Sequence, residues 1–410
     1  MSHIAISLRA IAVAAFACLA SNLAQAGEDN TPFSLTLAHD IARDSNFSKT
    51  TVAQGETVNT SSAKVGFDKG YGRQTYNLGA KLTTARHAHN TQLDNNGKML
   101  NAAFGSGLLS NWNVRLTGIY DENLNQIQNN DLGGRLDKNI RKYQDTGFSV
   151  QYGNGGTWAM IGSLDTNKTR YSIQPENNAD QDSRGFKAVY YSSDALNFGL
   201  GSRLVSTKYI GRADLVQTDK NIDMSVDWRV TGLTDLSAVL TRRSSSYNNE
   251  NYTPSKGFGG ELAWRYTPSG LLNYGLTVNR TTGSDRQKTG FNYEGADVLN
   301  LADTVSTSVA LSTQLRLTSK IYLSAVYSVV NYTQDNNYTG LDKNLTSDSK
   351  GRRLALDGTY EIMRSLRTGC GYALYDQTLQ EGRNLFNQIY VIRPKYSGRS
   401  VSCNVNFTID

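Results

Sequence analysis

Between Phe33 and Asp410 the chain is built of runs of about ten residues in which apolar and polar side chains alternate, and the connections between runs are alternately short and long. Few architectures accept that pattern. Alternation with period two is a sheet with one face apolar, and unequal turns mean that one end of the sheet differs from the other. A transmembrane helix bundle is excluded, because the one long apolar run, Ile4 to Ala20, stands at the N-terminus. Disorder is excluded by 23 Tyr, 12 Phe and 4 Trp against only 5 Pro. A soluble sandwich or propeller predicts more uniform connections and a signature per blade, and neither is visible.

The N-terminus reads as a secretory signal over residues 1–26. Arg9 supplies the positive region, Ile11 to Leu19 the apolar core and Ala24-Gln25-Ala26 the cleavage site, so the exported chain is expected to begin near Gly27. Cys18 is a poor lipidation site, with Phe16 where a small residue is wanted. The net charge is +6, with bases and acids interspersed along the whole length. A nucleic-acid binder concentrates Lys and Arg in one patch, so nucleic acid is not an expected partner.

Counting the alternating runs gives eighteen strands, with sixteen the neighbouring even number: near 33–41, 63–67, 76–82, 99–109, 112–121, 145–153, 157–166, 184–193, 196–206, 220–229, 234–243, 257–266, 271–282, 304–316, 320–332, 351–361, 366–376 and 397–409. The fold class is an all-β, antiparallel, up-and-down transmembrane barrel over residues 27–410. Short turns fall around Gly70, Ser110, Gly155, Ser193, Gly232, Pro268, Ser319 and Arg364. Long connections such as Glu122 to Gln144, Asn167 to Ser183, Gly283 to Asp303 and Thr333 to Lys350 fall on the other side, the extracellular one in an outer-membrane barrel. Trp112, Trp158, Trp228 and Trp264 share the outward parity and lie near short turns, where an interfacial aromatic girdle belongs. Outer-membrane lipid is therefore an expected partner, and the outer membrane of a Gram-negative bacterium the expected location. Pro32, Pro175, Pro254, Pro268 and Pro394 all fall at a strand start, in a short turn or in long connections.

Signals for catalysis and cofactors are thin. No GxSxG, HExxH or P-loop is present, and no cofactor is expected. Beyond His3 the histidines are His39, His87 and His89; His87 and His89 would bind a metal ion weakly if Asp94 joined them. A Ser/His arrangement at the rim would have to use these same residues. Cys370 and Cys403 face each other in the register that joins the last two strands, with outward parity. A disulfide there is permitted by an oxidising periplasm; the plainer reading is two small apolar residues in the lipid band.

The inward parity carries Lys64, Arg73, Lys81, Arg115, Lys187, Arg203, Arg229, Arg265, Arg316, Arg353 and Arg367 against Asp40, Asp68, Asp223, Asp227, Glu261, Asp357 and Glu361, an apparent excess of positive charge suited to anionic or hydroxyl-rich solutes. Cross-strand pairs that satisfy one another are the plainer reading. Inward Gly66, Gly79, Gly199, Gly201, Gly259, Gly275, Gly369 and Gly371 leave room in the lumen, and Tyr191, Tyr322 and Tyr375 offer faces for stacking on sugar rings.

The opening strand Phe33-Ser-Leu-Thr-Leu-Ala-His-Asp40, followed by Arg43-Asp44-Ser45-Asn46-Phe47, together with the leader, the length and the unbroken hairpins, resembles the EpsL-like β-barrel porins that accompany exopolysaccharide biosynthesis. Asp44 and Asn46 are also what an ordinary Asx turn requires. The resemblance implies an outer-membrane conduit for exported polysaccharide, inserted by the barrel-assembly machinery and served by periplasmic export components. A general diffusion porin for small polar solutes, narrowed by an inserted constriction loop at Glu122 to Gln144 or Gly283 to Asp303, and a non-conducting structural or adhesive barrel are the other two readings.

Overall fold

The computed structural model describes residues 31–409, apart from 109, 126–135, 154–155, 174, 212–214, 250–253, 286–290, 294–295, 299, 339–343, 379, 384–388 and 394. The expected signal segment 1–26 and Pro394 lie outside the described residues. In chain order the strands are β1 (Phe33–Asp44), β2 (Glu56–Tyr71), β3 (Gln74–His87), β4 (Asn95–Leu108), β5 (Trp112–Leu124), β6 (Ile140–Tyr152), β7 (Trp158–Tyr171), β8 (Ala179–Ser193), β9 (Leu196–Tyr209), β10 (Leu215–Thr231), β11 (Thr234–Tyr247), β12 (Ser255–Ser269), β13 (Leu272–Asp285), β14 (Phe291–Tyr293), β15 (Ala296–Val298), β16 (Asn300–Arg316), β17 (Ile321–Tyr338), β18 (Asn344–Met363), β19 (Leu366–Gln377), β20 (Gln380–Arg383), β21 (Ile389–Arg393) and β22 (Tyr396–Ile409).

Eighteen of them form one antiparallel sheet in which each strand pairs with its sequence neighbours and β22 returns to β1, so the sheet is closed. β14–β15 and β20–β21 are separate hairpins within two of the connections. Closure leaves no unpaired strand edge, the condition for crossing hydrocarbon with strands.

At the short-turn end the strands stop where the alternating pattern stops. At the other end they run further: β10 begins at Leu215 rather than near 220, β17 ends at Tyr338 rather than near 332, and β18 begins at Asn344 rather than near 351. The expected long connections Asn167–Ser183 and Thr333–Lys350 are therefore largely ladder. The reason is physical: a strand needs about ten residues to cross the membrane, and beyond that both faces are wet, so hydrogen bonding continues while the alternation fades. Pro268 is not in a turn. It ends β12, where the register with β13 shifts between Tyr266 and Ser269, and the irregular ladder accommodates a residue with no N–H.

The barrel is apolar on the outside. Leu37, Leu78, Leu200, Met224, Leu240 and Leu356 are all exposed, as are Trp112, Trp158 and Trp228. A belt of such side chains around the whole perimeter far exceeds the apolar patches that soluble monomers expose, so it must face lipid. Aromatic pairs sit at the short-turn border of the belt, with Trp112 on Tyr152 at 4.9 Å and Trp158 on Tyr190 at 4.7 Å between ring centroids. Trp264 stacks on Tyr266, and Tyr266 on Tyr274. The chain is thus a transmembrane β-barrel with its interfacial girdle at the turn side.

Candidate functional site

The site is the inner wall. Ladder register places Lys81, Arg115, Lys187, Arg203, Arg229, Arg265, Arg316, Arg353, Arg367, Asp227, Glu261 and Asp357 on the face opposite the girdle tryptophans.

Four of these cations are matched by acids. Arg203 approaches Asp223 at 3.8 Å, and Arg367 approaches Glu361 at 3.6 Å. Asp235 stands between Arg229 and Arg265, at 3.8 and 3.9 Å. Asp227 accepts a hydrogen bond from Ser237 at 2.7 Å, and Glu261 one from Asn279 at 3.3 Å. Lys81, Arg115, Lys187 and Arg353 make no ion pair among the described residues. The Arg316 guanidinium lies over the Tyr322 ring.

The expected excess of positive charge on this wall does not hold. The same parity also carries Asp44, Asp121, Asp145, Asp165, Asp219 and Asp235, with Glu56 at the rim, against only Arg141 and Arg243. Several of these occupy the strand ends that the alternation does not reveal. Asp219 gathers a network there: Arg243 at 2.8 Å, Ser245 at 2.5 Å and Gln217 at 2.8 Å all point to its carboxylate. Asp121 pairs with Arg141 at 3.1 Å and accepts from Asn123. Asp121 and Arg243 lie on the inward parity of the expected strands, but their partners Arg141 and Asp219 lie beyond them, where a continued period-two count would have found them.

Between the charged sectors lies a wall of hydroxyls and amides. Ser306, Ser308, Ser312 and Gln314 of β16, Ser324 and Ser328 of β17, and Ser400, Ser402, Asn404 and Asn406 of β22 share the inward parity. A concavity of about 810 Å³ opens along β7–β13, lined by Thr207, Gln217, Asp219, Thr241, Arg243 and Glu261 among others. Small residues keep the wall thin: a Cβ at Gly371 would collide with Asp357, and one at Gly199 with the Lys187 stem. Tyr375 is not free for stacking. Its hydroxyl donates to Asp44 and to the Asn46 carbonyl, and Tyr322 donates to the Ser319 carbonyl at 3.3 Å.

At the rim, Asp44 and Asn46 make the Asx turn, with the Asn46 N–H donating to Asp44 at 2.8 Å. The Asn46 amide ties this turn to Thr50 and to Ser397 of β22. Beside it, the Glu56 side chain is fully buried and accepts from the N–H groups of Thr57, His89 and Asn90 and from the Asn90 amide. Burial pushes its pKa up, but these donors together outweigh burial and hold it at about 2. His87 and His89 do not converge: His87 lies 3.4 Å from Asp94 and His89 3.4 Å from Glu56. His39 faces lipid and shares a hydrogen bond of 2.9 Å with Ser61 Oγ. Cys370 and Cys403 are directly opposed, as the register predicts, and are joined as a disulfide rather than standing as separate apolar residues.

The site residues within the expected constriction loop Glu122–Gln144 fall partly in 126–135, outside the described residues. The alternative loop, Gly283–Asp303, carries the β14–β15 hairpin.

No family model matches the chain, and no curated protein matches it in sequence. Solved structures that are similar include the ferric enterobactin receptor of Pseudomonas aeruginosa, with TM-score 0.48 and 10% identity over 94% of this chain and 82% of that one. The FrpB iron transporter of Neisseria meningitidis gives 0.45 and 9% over 93% and 82%. The alcaligin outer-membrane receptor FauA of Bordetella pertussis gives 0.45 and 10% over 93% and 77%.

Proposed function

We propose that the protein is an outer-membrane conduit of a Gram-negative cell for exported polysaccharide, kin in role to the EpsL-like barrels. The observation that supports this reading is the division of the inner wall. Acids and bases there nearly balance in number, and Arg203, Arg229, Arg243 and Arg265 are matched around Asp223, Asp235 and Asp219, while β16, β17 and β22 line the lumen with hydroxyls and amides. Such a wall offers exchangeable hydrogen bonds to a hydrated polymer without a deep charge trap, so a chain can enter and also leave. Transport across this membrane is passive, with synthesis on the periplasmic side supplying the drive and periplasmic export components docking at the short turns. The barrel-assembly machinery inserts the chain.

The test is planar-bilayer conductance of the purified protein with neutral and anionic oligosaccharides added to one side. Channels blocked reversibly by oligosaccharide are expected. Steady currents indifferent to either sugar would assign a general diffusion porin instead, and a barrel that passes no current would overturn the conduit reading in favour of a structural one.

A further inference from the structure

The excess of basic over acidic side chains on this barrel is on its outer face, toward the long connections. On β1, β10, β12, β18 and β22 the outward row starts at Leu35, Trp228, Trp264, Tyr360 and Phe407 at the short-turn border. Eight residues further along each strand it reaches Arg43, Lys220, Lys256, Arg352 and Arg399. Between these ends the positions are predominantly apolar. Eight residues span about 26 Å along a strand, or roughly 20 Å of height at the usual strand tilt, so the basic side chains stand near the upper edge of an apolar band.

The same step from apolar to basic occurs on β4 and β6–β8, at Lys98, Lys142, Lys168 and Arg184, and on β11 and β13, at Arg242 and Arg280. All are exposed, and none makes an ion pair among the described residues. The outward acids at this height, Glu122, Asp180, Asp182 and Asp376, are fewer, and three of them stand opposite girdle cations: Glu122 between Lys98 and Lys142, Asp180 opposite Lys168 and Asp376 opposite Arg352. The opposite border is aromatic instead, so the two leaflets meet chemically different rims.

Two recesses open on the belt among the described residues. Arg352 and Arg399 frame a recess of about 600 Å³ whose floor is Tyr327, Leu354 and Leu374 and whose edge holds Asp376. Guanidiniums above an apolar floor match a headgroup that carries phosphate and an acyl chain beneath it. A second outward recess, about 540 Å³ and floored by Leu78, Ala80, Leu100, Ala102 and Gly118, lies below Lys98.

We propose that this girdle binds phosphate-bearing lipid headgroups of the leaflet on the long-connection side, with Arg352 and Arg399 as the best-formed site. Lipid rather than a soluble anion is the occupant, because the cations stand directly above the hydrocarbon belt on eleven of the eighteen strands. The proposal needs only a membrane-spanning barrel and does not depend on what passes through it.

The experiment is native mass spectrometry of the purified protein in nonionic detergent, titrated with bisphosphorylated lipid A, with phosphatidylcholine and with inorganic phosphate. Folding of every variant is scored separately by the mobility of unheated protein in electrophoresis. Retention of lipid A over phosphatidylcholine is expected, and R352Q/R399Q should weaken it by roughly thirtyfold, at about 1 kcal/mol per basic residue near an anionic surface. K98Q/K142Q/K168Q, elsewhere on the barrel, should weaken it by on the order of 150-fold on the same scale and keeps the test open if the first variant fails to fold. The lumen variant R203Q/R265Q should bind as the native protein does. Equal retention of phosphatidylcholine, full competition by equimolar inorganic phosphate, or native-like binding by both girdle variants would each overturn the proposal.

Discussion

Replacing Glu56 by Gln should loosen the rim between β3 and β4. The Glu56 carboxylate is buried and organises three backbone N–H groups and one side-chain amide. Held at about 2 rather than near its ordinary 4.5, it contributes roughly 3 kcal/mol to the order of this loop at neutral pH. Because the folded value is the lower one, that contribution is complete above about pH 4.5, declines as the pH falls and is gone below about 2. The Gln variant keeps one acceptor oxygen and adds two donors, so at pH 7 it should already behave like the acidified native protein. Hydrogen exchange of the His89 and Asn90 amides, corrected for intrinsic rates, measures this directly. Exchange about a hundredfold faster in E56Q is expected, together with a fall in native protection between pH 5 and 3. If both amides stay as protected in E56Q as in the native chain, the carboxylate does not hold the loop and the reasoning is wrong.

Three further outcomes follow from the wall and the belt. Leu200→Arg, outward on β9 between Ala188 and Met224, should cost about 2–4 kcal/mol in folding into bilayers, whereas inward Ser324→Arg should cost much less; urea titration in vesicles compares them. Asp235→Asn removes the acid shared by Arg229 and Arg265, so reversal potentials in a salt gradient should move toward anions, and no movement would mean that these arginines do not sense permeating ions. Replacing both Cys370 and Cys403 by Ser opens a loop of sequence separation 33 and should lower stability by about 3–4 kcal/mol, read as a drop in the denaturant midpoint.

The eighteen strands and their turn-side ends are legible in the sequence because the belt forces strict alternation and the Trp residues mark its border. The register at Cys370 and Cys403 is legible for the same reason: once two turn-side ends are placed, every opposed pair follows. The loop-side ends are not. Around Leu215, Tyr338 and Asn344 both faces meet water, so only hydrogen bonding, which leaves no trace in residue type, continues the strand. Asp44, Glu56, Arg141 and Asp219 were lost with those ends, whereas Asp121, Asp145, Asp165, Asp235 and Arg243 lie on the inward parity of the expected runs themselves, and counting them gives the near balance of the lumen. The lysines of the outer girdle were hidden likewise, since Lys98, Lys142 and Lys168 read as ordinary loop residues once the strand is cut short.

The bond between β19 and β22 sits one strand away from the place where the two ends of the sheet meet. β22 is held to β19 covalently, but to β1 by hydrogen bonds alone among the described residues: its ladder from Leu35–Ile409 to Asp44–Ser400, the Thr36–Thr408 hydroxyl pair, and the Ser45–Arg399 and Asn46 contacts at the rim. The wall is therefore riveted on one side of its last strand and merely zipped on the other. Any sideways parting of the barrel along β22 must run down the β1 side, and a chain arrested during closure would carry β19 and β22 as a finished pair waiting for its first strand.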